Sequence, residues 1–112
     1  MKLSQSIILI LLCFAFVPTL ALGQTAEIDA LKEMAEKGEV EAQFHLGLKY
    51  EFGLGVTEDD AEADKWYRKA AEQGDTSAQY ILGEKYDFGL GVTEDDAEAA
   101  KWYRKSHEHM HI

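Results

Sequence analysis

The sequence predicts an all-α protein, an α-solenoid of antiparallel helix hairpins, on three observations. The twelve residues from Phe52 to Ala63 return unchanged at Phe88 to Ala99, a spacing of 36 residues. A fixed period of that size marks stacked supersecondary units of two helices each. Within each unit, apolar residues recur at helical spacing, and glycine pairs stand where the two helices must reverse.

The first unit runs from Gly38 to Gln73 and the second from Gly74 to His109, and they agree at 25 of 36 positions. The first helix of each unit, expected at 40–52 and 75–88, carries Ala42, Leu46 and Tyr50, matched by Ala78, Leu82 and Tyr86. These lie at i, i+4 and i+8 on one face. Gly47 and Gly83 fall inside those helices. A mid-helix glycine costs about 1 kcal/mol relative to alanine, so both are expected where a neighbouring helix leaves no room for a Cβ.

Gly53-Leu54-Gly55 and Gly89-Leu90-Gly91 then end the first helices, with Leu54 and Leu90 expected to plug the hairpin corner. Thr57 and Thr93 are read as N-caps of second helices over 57–72 and 93–109, with acids at 58–60 and 94–96 facing the positive end of the helix dipole. The acids lack the ligand alternation and central glycine of a calcium loop. Ala63, Trp66, Tyr67 and Ala70, with Ala99, Trp102 and Tyr103 one period later, are read as core.

Ahead of the units, Ile28, Leu31, Met34 and Ala35 recur at helical spacing. Ala35-Glu36-Lys37-Gly38 also resembles Ala71-Glu72-Gln73-Gly74. Residues 24–37 are therefore expected to form a capping helix at about 25–37, standing where the second helix of a preceding unit would be. Residues 110–112 form a short tail.

Residues 1–23 carry Lys2, an uncharged apolar run from Ile7 to Val17, Pro18, and small residues at Ala21 and Gly23. That order is the secretory-signal pattern, and the run is shorter than the roughly 20 residues of a spanning helix. Cleavage after Gly23 is expected, giving a secreted or periplasmic protein with no stable membrane insertion. Cys13, the chain's one cysteine, leaves with the signal. Stability then rests on packing without disulfides.

The cleaved chain has 10 basic and 21 acidic residues, a net charge of −11. Nucleic acid is disfavoured as a partner, since binding its phosphates needs a basic footprint. Two and a half units are fewer than the three that stacked repeats usually need, so self-association is a reasonable expectation.

The pattern Ala42-Gln43-x-x-Leu46-Gly47-x-x-Tyr50-x-x-Gly53-x-Gly55-Val56, followed by Asp60-x-x-x-Ala63-x-x-Trp66-Tyr67-x-Lys69-Ala70-Ala71-Glu72-Gln73-Gly74, resembles the Sel-1-like repeat. That repeat is a relative of the tetratricopeptide repeat. The resemblance covers almost all of the cleaved chain and implies a right-handed solenoid that serves as an adaptor in protein complexes. It implies no enzymatic chemistry and no cofactor. Ser77 and Ser106, the serines of the cleaved chain, stand beside no activating motif.

Two functions are expected from the residues. The first is protein–protein interaction through the first helices, which line the concave side in tetratricopeptide-like solenoids. There the units differ at Glu41 and Ser77, Phe44 and Tyr80, His45 and Ile81, and Leu48 and Glu84, and they share Lys49 and Lys85. These ten positions are the candidate contacts for a protein partner, with Phe44 and Tyr80 the leading anchors. The second is a small metal-binding or stress-associated envelope protein using His107, His109 and His111, whose i, i+4 members could share an ion on a persisting helix.

Overall fold

The computed structural model describes residues 26–110, with side chains through residue 108. Five helices follow one another: α1 Ala26–Glu36, α2 Val40–Phe52, α3 Asp60–Glu72, α4 Thr76–Phe88 and α5 Asp96–Met110. Each packs on its neighbour in the chain, so α2/α3 and α4/α5 are the two hairpins and α1 covers the outer side of α2. Among the described residues no helix is long and apolar enough to cross a membrane. The secretory segment read at 1–23 lies outside the described residues.

The 36-residue period reappears in the packing. Ala35, Ala42, Leu46 and Trp66 form one buried cluster, and Ala71, Ala78, Leu82 and Trp102, the same four positions a period later, lie in the next. The second cluster adds Ala63, Tyr67 and Ala70. The expected core aromatics Trp66, Tyr67 and Trp102 are buried. Alanines dominate where helices touch, and small side chains allow the close approach that a slender two-layer stack requires.

The internal glycines mark the closest of these approaches. A Cβ built on Gly47 would sit 2.6 Å from the Tyr67 ring, and one on Gly83 would sit 2.5 Å from the Tyr103 ring. Gly47→Ala is expected to destabilise by about 1–2 kcal/mol, because overpacking of about 1–3 kcal/mol outweighs the gain in helix propensity. Gly83→Ala should cost less, since Tyr103 is only half-buried and can give way. Equal denaturation midpoints for the two variants would count against this account.

Gly53 and Gly89 take left-handed φ values of 64° and 66°, and their N–H groups return to the carbonyls of Lys49 and Lys85. The structure then corrects two expectations. Thr57 and Thr93 are not caps: helices α3 and α5 begin three residues later. The Asp59 and Asp95 N–H groups first reach back to the carbonyls of Tyr50 and Tyr86, both at 2.9 Å. Their carboxylates then accept the N–H groups of Glu62 and Glu98 at 3.1 Å. An aspartate in the extended conformation at that point makes the capping bond in place of the threonine. Nor do Leu54 and Leu90 plug the corner; both are about half exposed, because the loop folds back through its backbone and leaves its leucines outside.

Candidate functional site

The units are joined by polar ties as well as by apolar contact. Gln43 Nε2 donates to the Ala35 carbonyl at 3.1 Å, and Gln79 Nε2 donates to the Ala71 carbonyl at 3.0 Å, so each unit caps the preceding helix. Within the first unit, Gln73 Nε2 donates to Gln43 Oε1 at 2.7 Å and holds that glutamine in place. Arg68 of the first unit donates to the Tyr86 hydroxyl of the second.

The strongest tie is ionic. Lys85 Nζ lies 2.9 Å from Glu51 Oε1 and 5.6 Å from the centre of the Tyr67 ring. The Tyr67 hydroxyl donates to the other oxygen of Glu51 at 2.5 Å. Lys85 is only 3% exposed. The expected contact role of Lys85 is therefore replaced by a structural one, because its ammonium is consumed by a carboxylate and a ring of the preceding unit.

Burial, followed by the hydrogen bond to Glu51 and the charge of Glu51, holds the Tyr67 phenol well above its ordinary value of 10.0. The folded state therefore favours the protonated phenol. Its contribution is complete below pH 10 and is lost as pH rises above it, where the unfolded chain ionises first. Denaturation midpoints should hold up to about pH 10 and fall above it, and Tyr67→Phe should flatten that fall; an unchanged slope would contradict the assignment. Burial, and then the charge of Asp87, raises the Tyr103 phenol in the same direction.

The other nine expected contact residues lie on α2 and α4, and most of them meet along one face. His45, Leu48 and Lys49 line a hollow of about 340 Å³ with Glu27, Leu31 and Leu54. Leu48 continues into a second hollow with Glu51, Phe52, Ile81, Glu84, Lys85 and Leu90. Ile81 is shared with a third, of about 450 Å³, formed with Thr76, Ser77, Tyr80 and Ser106. Tyr80 passes on to a fourth with Tyr103, Arg104, Ser106 and His107. Shared linings make these four hollows one continuous surface. Glu41 is exposed and lines none of them.

The two expected anchors part company. Tyr80 is 51% exposed, its ring 5.6 Å from that of Tyr103. Phe44 is half-buried against the core, 5.8 Å from the Tyr67 ring. Phe52, Leu54 and Leu90 were missed by sequence reasoning that looked for differences between units, because all three fall in the unchanged twelve residues. Among the described residues, no group of three or more His, Cys, Asp and Glu side chains is placed to hold a metal ion. His107 is exposed beside the fourth hollow, whereas the His109 side chain and His111 lie outside the described residues.

The repeat joints and the glycine contacts are the features by which the chain can be compared with known proteins. The Sel1 repeat matches residues 40–75 and 76–106. The chain belongs to the Sel1 repeat family. It is 43% identical over 70 residues to the secretory immunoglobulin A-binding protein EsiB of Escherichia coli O6:H1, covering 62% of this chain and 14% of that protein. Among solved structures it resembles a protective antigen of uropathogenic E. coli with a Sel1-like fold, at 45% identity and a TM-score of 0.71. That match covers 73% of this chain and 18% of the antigen. A Sel1 repeat protein of Oxalobacter formigenes is similar at 43% identity and a TM-score of 0.71, covering 73% of this chain and 34% of that one. The chain thus spans about a third or less of the length of each of these relatives. Sel1 repeat proteins generally mediate protein–protein interaction.

Proposed function

We propose that this Sel1 repeat protein is a secreted or periplasmic adaptor that binds a protein partner along the α2–α4 face. One observation carries the reading: four adjoining hollows run along that face, and the half-exposed ring of Tyr80 stands between the last two. An exposed aromatic ring flanked by pockets is the usual anchor of a protein interface. The binding of immunoglobulin A indicated by the name of EsiB supports a protein as the partner class. Export follows from the secretory pattern read at residues 1–23.

The test is crosslinking capture from the native envelope with the cleaved chain, followed by Tyr80→Ala. The variant is expected to weaken capture by more than about 1 kcal/mol with unchanged helicity. Phe44→Ala, by contrast, should lower thermal stability, because its ring leans on Tyr67. Undiminished capture by Tyr80→Ala would remove this face from consideration.

A further inference from the structure

Each unit turns its corner with Phe-Gly-Leu-Gly, and in each the two large side chains face solvent. Phe52 is 63% exposed and Phe88 65%, beside the half-exposed Leu54 and Leu90. Eleven positions differ between the units, yet these four apolar residues do not. Their neighbours in the loop are explained by the fold: the glycines by left-handed backbone, and Asp59 and Asp95 by capping. Packing inside the chain gives no such reason for Phe52, Phe88, Leu54 or Leu90.

The two corners are side by side. A Cβ on Gly91 would come within 3.1 Å of the Asp60 side chain, so the loop of the second unit rests against the start of α3 in the first. Glu58, Asp60, Glu94 and Asp96 are exposed around the apolar pairs. The edge therefore alternates apolar and acidic patches. Two of its apolar members, Phe52 and Leu90, also wall the hollow at Leu48 and Ile81, which makes the edge continuous with the α2–α4 face.

We propose that this corner edge docks a cationic amphipathic polypeptide segment. Its apolar side chains would lie on Phe52, Phe88 and Leu90, and its Lys or Arg side chains would face Glu58, Asp60, Glu94 and Asp96. The inference rests on the adaptor reading and names the chemistry of the partner. Charge decides between classes of occupant, since an anionic membrane surface or a nucleic acid would meet repulsion here.

The probe is a fluorescent 14-residue peptide of Leu and Lys at helical spacing, titrated into the cleaved full chain. Two comparators replace Lys by Glu or Leu by Ser. The Leu/Lys peptide is expected to bind, and F52S/F88S to weaken it at least 10-fold without lowering Tm, since both rings are mostly in solvent already. Both comparators should bind at least 10-fold more weakly. Equal affinity of F52S/F88S and the unaltered protein would overturn the proposal, as would equal binding of the Ser/Lys peptide, which would reduce the effect to bulk charge. A native partner captured through Tyr80 but indifferent to F52S/F88S would overturn the edge and spare the adaptor reading. Phe-dependent peptide binding without any captured partner would uphold the edge and count against the α2–α4 reading.

Discussion

Trp102→Ala is expected to destabilise the protein by about 4 kcal/mol, the usual scale for removing a buried aromatic side chain. Trp102 is 1% exposed and lies in the cluster with Ala78 and Leu82 of α4 and Ala71 at the end of α3. Ala71 and Ala78 in that cluster are too small to fill the cavity the ring would leave. A domain of this size has roughly 5–10 kcal/mol in all, and the variant should retain little of it. Among the described residues the indole N–H finds no acceptor, so the ring contributes through contact and not through a hydrogen bond. Trp102→Phe should therefore cost far less, about 1 kcal/mol. Urea denaturation followed by circular dichroism reads both; similar losses for Phe and Ala would show that the N–H matters after all.

The second large effect belongs to the ionic joint. Glu51→Ala should cost about 3 kcal/mol, because it leaves the Lys85 ammonium buried with its carboxylate gone. The double variant Glu51→Leu with Lys85→Met should recover most of that loss, since an apolar pair of similar volume needs no charge compensation. If the double variant is as unstable as Glu51→Ala, the joint depends on the bond from the Tyr67 hydroxyl and not on balancing the lysine. The cycle can be read in the same denaturation experiment, with the ammonium–ring contact at Tyr67 retained in Glu51→Ala.

These two sites show what could be read from the chain beforehand and what could not. Trp102 was legible because a helical period of 3.6 and a repeat period of 36 both place it on the apolar side of α5. Gly47 was legible for a related reason: an unfavourable residue kept in a good helix implies a neighbour, and the neighbour is Tyr67. Lys85 was not, because a lysine reads as surface until its partner is known. The partner, Glu51, is 34 residues away and on another helix. The clue was present as a Lys at 49 and 85 followed two residues later by an acid at 51 and 87, but pairing across units depends on how hairpins stack. The cap positions failed for a similar reason. Thr57 and Asp59 are both good caps by type, and the choice between them was made by a backbone bond to Tyr50, which no local propensity encodes. Of the candidate contacts, the residues that vary between units were visible, whereas the invariant Phe52, Leu54 and Leu90 became apparent only once their exposure was seen.

The joint at Glu51, Tyr67 and Lys85 also bears on how such a molecule can lengthen. The second unit brings the Lys85 ammonium to the Glu51 and Tyr67 of the first, and Asp87 and Tyr103 stand in the second unit where Glu51 and Tyr67 stand in the first. A duplicated 36-residue stretch inserted in register at Gly74 would arrive with both halves of the fastening, mating at its two borders without any compensating substitution. Growth by tandem copying is therefore chemically permitted at this joint.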